Sequence, residues 1–315
     1  MHSPEIVFIV GPTAVGKTEV ALTLAQSLSG EIINADAMQV YREISVANNK
    51  PSLQALASVP HHLFGVISVR QSFDVAVFYD MALAAVRTVQ ARGNVPIVAG
   101  GSGMYIRVLL DGIFDQGKKK PAIRRRLEQE LSQSGSQALH ARLKEVDPAA
   151  AHRIHANDGR RIIRALEVFE TLEQPISSLQ GGHGGLWGQY RIRLFGLQRE
   201  RHDLYERINR RVDEMVEDGL IAEMKRLEFL ALSRTAESII GVREIRGYLR
   251  GEYDLDHAKD LMRLHTRHYA KRQMTWFRKE HRLEWMPVRH GQTAAHVAGD
   301  IQRDITQEQH ENGRG

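Results

Sequence analysis

The 315-residue sequence contains no cysteine, which excludes a disulfide framework and any metal site built on thiolates. Long apolar runs are missing too: stretches such as IVFIV at 6–10 and VPIVAG at 95–100 fall far short of the roughly 20 residues that cross a bilayer. No membrane span is expected. The start, MHSPEIVFIVG, has no basic segment leading into a long apolar stretch and a cleavage site, so the expected location is the cytoplasm. Internal repeats and a heptad register are also lacking. What remains is an ordinary balance, 42% hydrophobic and 26% charged, enough to bury a core for one large domain or two smaller ones.

The formal charge of +5 is moderate, and its distribution is more telling. Basic residues gather at Lys118, Lys119, Lys120, Arg124, Arg125 and Arg126, again at Arg160, Arg161 and Arg164, and again from Arg263 to Lys279. Any one such run is ordinarily a solvated face. Three of them, in a chain that also carries a phosphate-handling motif, point to a polyanionic partner.

The first 115 residues alternate β-branched runs with amphipathic stretches, the pattern of an α/β protein with a parallel sheet. Strands are expected near 6–10, 31–36, 62–67 and 95–100, with helices from Lys17 to about Ser29 and from about Phe73 to Ala91. From Lys118 to about Gln174 the periodicity is helical throughout, an all-helical insertion whose exit is marked by Pro175 and GGHGGLWG at 181–188. YRIRLFGLQ at 190–198 then alternates like a strand returning to the sheet. The expected division is 1–117 for the first part of the core, 118–188 for the insertion and 189–315 for the remainder with its C-terminal helices. Leu204, Ile208, Val212 and Met215 share one face of a helix ending at Gly219, a second long helix spans about Leu255 to Lys279, and ITQEQHENGRG at 305–315 is expected to fray.

The strongest motif is Gly11, Pro12, Thr13, Ala14, Val15, Gly16, Lys17 and Thr18, a complete G-x-x-x-x-G-K-T between a strand and a helix. Such a loop turns consecutive backbone N–H groups onto phosphate oxygens, Lys17 adds a point charge, and Thr18 can ligate Mg²⁺. Motor and switch NTPases end a later strand in a Mg²⁺-holding Asp. Here VPIVAG runs instead into Gly100-Gly101-Ser102-Gly103, which argues against a hydrolytic engine. Asp36, closing EIINAD, falls at the carboxyl edge of the sheet and reads either as the cap of a turn or as a functional group, a general base or a Mg²⁺-linked acid. The glycine-rich junction at 100–105 reads either as a structural turn or as a close ligand approach in which the Ser102 hydroxyl donates to a phosphate oxygen.

In order along the chain, GPTAVGKT at 11–18, DAMQVY at 36–41, PHHL at 60–63, GGSGMYIRVLLDG at 100–112, DPAAAHRIHANDGRRIIRALEVFE at 147–170 and KRQMTWFRK at 271–279 resemble the blocks of the tRNA dimethylallyltransferases, or tRNA isopentenyltransferases. The resemblance implies a P-loop NTPase-like core with an all-helical inserted domain. It further implies Mg²⁺ as cofactor, dimethylallyl diphosphate as donor, and as acceptor N6 of the adenine 3′ of the anticodon, with the insertion gripping the anticodon arm of a tRNA. It also makes Thr13 to Thr18 the diphosphate site and Asp36 the base. It places Ser102 near the reacting centre, where the family usually has Thr. Asp36, Ala37, Met38, Gln39, Ser102, Arg124 and Arg160, Arg161, Ile162, Ile163 and Arg164 fall where that family touches tRNA. A monomer without a membrane partner is expected. Ala37 stands where Ser is common, VANNKP at 46–51 replaces a GTAKP-like stretch, and Gly241-Val242-Arg243-Glu244 replaces GYKE or GYRE.

Two other functions share these features. A small-molecule or nucleoside kinase would use the same phosphate loop and a sheet-edge Asp, with Arg160, Arg161 and Arg164 as a mobile lid. A non-catalytic RNA-binding protein would keep the basic faces but not need so intact a loop. His265 and His268 have a helical metal-binding spacing without a completing ligand. Tyr269, Trp276 and Phe277 read as base stackers or core. Arg207 and Arg211 read as diphosphate ligands or a solvated face, and GGHGG as a hinge.

Overall fold

A run of apolar residues ending in a phosphate loop becomes the middle of a parallel sheet because both of its faces are covered. In the computed structural model, which describes residues 5–113, 120–179 and 183–312, β1 (Glu5–Val10) has Ile6 to Val10 fully buried. After the loop come α1 (Lys17–Ser27), β2 (Gly30–Asn34), α2 (Leu53–Ser58) and β3 (His61–His62). Next are α3 (Val75–Ala91), capped by Asp74 on Ala76 N and Val77 N, β4 (Val95–Gly100) and α4 (Gly103–Asp111).

A second compact unit spans Asp111 to Gly185. It holds β5 (Gly112–Ile113), α5 (Pro121–Val146), α6 (Pro148–Arg153), α7 (Gly159–Leu172) and β6 (His183–Gly184), which pairs antiparallel with β5. Gly135 breaks α5 with a φ of 77°, so the long helix is two helices meeting at a bend. Leu127, Leu139, Leu143, Ile162, Ile163 and Leu166 form this unit's core. Asp147 joins its parts, capping α6 at Ala150 N (2.9 Å) and accepting from Ser177 Oγ at 2.6 Å. Lys118, Lys119, Gly181 and Gly182, named above for charge and for a hinge, lie outside the described residues.

The first unit resumes at Leu186 with β7 (Arg191–Gln198), α8 (Arg201–Glu217), α9 (Leu220–Leu227), α10 (Arg234–Glu237), α11 (Val242–Leu249), α12 (Leu255–Phe277), β8 (Glu284–Pro287) and α13 (Ala294–Asn312). Its sheet order is β3-β2-β4-β1-β7-β8, and every pairing is parallel. The chain leaves β1, crosses over β4 to reach β2, and returns on the other side as β7, so the carboxyl end of β1 is a switch point of the topology.

Three expectations need correction. The strand sought at 62–67 is only His61–His62, because Leu63 takes a φ of 64° that ends the extended run. The strand before Asp36 stops at Asn34, whose side chain accepts from Asp36 N at 2.9 Å and folds the chain into a turn. The polar tail is helical to Asn312, since Val297, Ala298, Ile301 and Ile305 bury one stripe in the same core as Val20, Leu24 and Ala25 of α1. Across the sheet, Arg193 of β7 is 5% exposed and binds both Glu284 of β8 (2.9 Å) and Asp304 of α13 (3.1 Å).

Candidate active site

Four loops meet at the carboxyl edge of the sheet: the phosphate loop after β1, Asp36 after β2, the glycine-rich turn after β4, and Arg199 after β7. Positive φ at Gly11, Ala14 and Gly16 curls the phosphate loop. Cationic side chains then hold four successive residues of it. Lys17 Nζ donates to the Pro12 carbonyl at 2.8 Å, Arg211 Nη1 to Thr13 Oγ1 at 3.2 Å, Arg207 Nε to the Ala14 carbonyl at 2.9 Å and Arg199 Nε to the Val15 carbonyl at 2.9 Å. Arg207 and Arg211, two of the four arginines of α8, therefore face the phosphate loop and not solvent. Burial pulls the Lys17 pKa down to about 8, with Asp36 opposing and Arg211 reinforcing the shift. Burial likewise lowers both Arg207 and Arg211.

A polar cavity of about 320 Å³ opens over this loop, with Thr13, Gly16, Lys17, Thr18, Asp36 and Arg211 in its wall. Thr13, Asp36, Asn48, Asn49 and Arg211 also line a second cavity of about 280 Å³. The second is mainly apolar, walled by Met38, Ile208, Val212, Met215, Ile239 and Met262. Asp36 thus stands on the boundary between an anion-binding space and an apolar one. Its Oδ1 accepts from Met38 N at 2.9 Å, so the same residue closes a turn and faces the cavities.

Ser102 Oγ accepts from Ala37 N at 2.9 Å, which ties it to the Asp36 turn, and Ser102 is not among the residues lining either cavity. Gly100 leaves no choice of residue, because a Cβ there would lie 2.2 Å from the Ala35 carbonyl. Gly103 is similarly constrained, with a Cβ falling 2.2 Å from the Trp276 ring. Of the aromatic trio on α12, Phe277 is core, Trp276 covers Gly103, and Tyr269 lines the apolar cavity. Burial and the nearby Asp36 raise the Tyr269 pKa, while hydrogen bonding to Ser102 and Gln273 partly offsets this. Gln39 lines the polar cavity, and its Nε2 ties the backbone of Asn48 (3.1 Å) and Asn49 (2.8 Å).

In the second unit, Arg160 and Arg161 are exposed, whereas Ile162 and Ile163 are buried and offer no side chain to a partner. Arg124 and Arg164 converge on Glu167, at 3.5 and 3.0 Å, and Arg161 pairs with Asp158 at 3.3 Å. His265 forms no metal site: its Nδ1 lies 2.6 Å from Glu244 Oε1, and the other oxygen of Glu244 accepts from Gly241 N. Among the described residues, Asp203, Glu206 and His290 could gather around a cation, but Asp203 is already paired with Arg199 at 2.7 Å.

The apolar cavity was not anticipated from sequence. Its α8 wall, Ile208, Val212 and Met215, carries the same stripe that reads as core, and such a stripe does not reveal whether a side chain or a ligand fills the space opposite.

Residues 39–280 match the family described as IPP transferase. The chain is 44% identical over 284 residues to tRNA dimethylallyltransferase 2 of Geotalea uraniireducens, spanning 90% of this chain and 92% of the relative. It is 43% identical over 285 residues to the tRNA dimethylallyltransferase of Carboxydothermus hydrogenoformans, again 90% and 92% of the two chains. Among solved structures, the tRNA isopentenylpyrophosphate transferase of Bacillus halodurans aligns with a TM-score of 0.72 at 37% identity over 98% of both chains. A eukaryotic dimethylallyltransferase acting on tRNA aligns with a TM-score of 0.83 at 26% identity, over 98% of this chain and 80% of the other.

Proposed function

The chain belongs to the IPP transferase family of tRNA dimethylallyltransferases, and we propose that it transfers the dimethylallyl group of dimethylallyl diphosphate to N6 of the adenine 3′ of the anticodon, releasing diphosphate. The observation that carries this reading is the pair of cavities meeting at Asp36. The polar one suits a diphosphate, the apolar one a branched five-carbon chain, and the carboxylate lies between them. The relatives favour the transferase over a kinase.

The N6 lone pair of adenine is delocalised into its ring and is a poor nucleophile. The reaction therefore depends on an activated electrophile and on a base that takes the proton. An allylic carbon develops positive charge as the C–O bond to diphosphate lengthens, and Lys17, Arg211 and the loop N–H groups stabilise the charge that departs. Asp36 receives the N6 proton. Thr18, whose hydroxyl is a hard oxygen donor of the kind that suits Mg²⁺, lines the same cavity as the Asp36 and Glu214 carboxylates, and there it would hold the ion, which would neutralise diphosphate charge. Adenine must leave its stack to reach a site of this kind. In this reading the second unit grips the anticodon arm through Arg160 and Arg161, with Arg124 and Arg164, both already drawn to Glu167, contributing less and Ile162 and Ile163 only backbone. No helix among the described residues is long and apolar enough to cross a membrane; a cytoplasmic location and a monomeric state are part of the proposal.

The test is incorporation of labelled dimethylallyl diphosphate into unmodified tRNA that reads codons starting with U, with Mg²⁺ present. Label at the adenine beside the anticodon is expected. ATP consumed on a small acceptor, without label in tRNA, would support the kinase.

A further inference from the structure

One buried carboxamide joins the two loops between which the reaction is read to run. Gln273 lies on α12, four residues after Tyr269 and three before Trp276, and is 5% exposed. Its Oε1 accepts from the backbone N–H of Thr13 at 2.8 Å, and its Nε2 donates to the Gly101 carbonyl at 2.9 Å. A Cβ at position 101 would lie 2.3 Å from that Nε2, so the contact requires glycine there. The N–H of Thr13 is thereby committed to the protein and not to the diphosphate. Gly101 precedes Ser102, whose hydroxyl holds Ala37 beside Asp36. One planar group therefore touches the anion-binding loop on one side and the support of the base on the other.

Taking the transferase reading as its basis, we propose that Gln273 is a positioning residue that sets the spacing between the diphosphate loop and the Asp36 turn. A carboxamide carries an acceptor and a donor rigidly about 2.2 Å apart, and both are used here. A carboxylate can accept from Thr13 N–H but cannot donate to Gly101, whereas a protonated carboxyl can do both. Substitution by glutamate thus converts the spacing into something pH can restore. The charged and titratable groups near this junction are Lys17, Asp36, Arg211, Arg272 and Tyr269, whose hydroxyl stays protonated across the assay range because burial raises its pKa, and all are common to wild type and variant.

The experiment measures steady-state prenyl transfer to tRNA by wild type, Gln273→Leu and Gln273→Glu from pH 5.5 to 8, after thermal unfolding shows each variant folded at the assay temperature. Gln273→Leu is expected to lose on the order of 100-fold in kcat with both KM values within about threefold, because misplacement of bound reactants affects the chemical step. The ratio of Gln273→Glu to wild type is expected to climb as pH falls. If Gln273→Leu does not fold, the glutamate ratio carries the test alone. A kcat near wild type for Gln273→Leu, a loss confined to KM for the diphosphate, or a flat glutamate ratio would each overturn the proposal. Absence of transfer by wild type would overturn the functional reading beneath it, and is distinguished because it appears before any variant is compared.

Discussion

Arginine does opposite work in the two units. At the sheet edge of the first, Arg207 and Arg211 reach a carbonyl and a hydroxyl of the phosphate loop, and Arg199 reaches a third loop residue while paired with Asp203. A guanidinium bonded to a neutral acceptor keeps its charge for a ligand. In the second unit Arg124, Arg126, Arg142 and Arg164 meet Glu128, Glu130, Glu167 and Glu170, so much of that surface charge is answered within the unit. Counting basic residues in the sequence treats the two regions alike. The partners separate a concentrated cationic site from a surface where much of the charge is paired within the unit, Arg161 with Asp158 included, and where Arg125 and Arg160 are among the exposed cations.

The sharpest way to break this contrast is at Asp36, the acidic member of the first region. Asp36→Asn is expected to lower kcat by roughly 10²- to 10⁴-fold while pyrophosphate binding, followed by calorimetry, persists. Equal loss of binding would make the carboxylate a structural cap only. Lys17→Met is next, with an expected drop of about 10²- to 10³-fold in transfer. Since the free Lys17 titrates at about 8, pyrophosphate affinity of the wild type should fall as pH rises through that value, and the step should vanish in Lys17→Met. Stability runs the other way: the unfolded lysine binds its proton up to its ordinary pKa of 10.5, so this residue adds stability as pH climbs from about 8 to 10.5. Denaturant midpoints across that window would check the sign.

Smaller effects test the rest of the comparison. Arg211→Ala should weaken pyrophosphate binding by about 10- to 100-fold, the worth of a hydrogen bond to a charged group. Replacing Arg160 and Arg161 together by alanine should raise KM for tRNA about tenfold and flatten the salt dependence by about one unit per residue lost. Pyrophosphate affinity should not move. Arg124→Ala, whose charge is already matched by Glu128 and Glu167, should change KM for tRNA by no more than about threefold. A larger effect from Arg124 than from the exposed pair would reverse the distinction drawn here.

How far the sequence could be read follows from the range of the forces involved. The phosphate loop, β1, β4 and β7 are local: a buried run and a glycine motif declare themselves within ten residues. The six ordered blocks also placed Asp36 and the family. β8 and α13 escape a local reading because WMP is brief and α13's apolar stripe is thin, and both depend on partners far off in sequence, such as Leu197 opposite Met286 on neighbouring strands and the face of α1. The orientation of Ser102 and the double contact of Gln273 are equally non-local. Ile162 and Ile163 lay inside a block matched as a unit, and helical geometry then divided that block into an exposed Arg160-Arg161 edge and a buried one.

The first unit is assembled from two separated lengths of chain, while the second is one continuous stretch. Made on a ribosome from the amino end, the continuous stretch is whole once Gly185 has emerged, when β1 still lacks β7 at its side and α1 still lacks α13. Arg199, Arg207, Arg211 and Gln273, which give the phosphate loop its shape, follow it by some 180 residues or more. A nascent chain therefore carries the motif long before it carries the site.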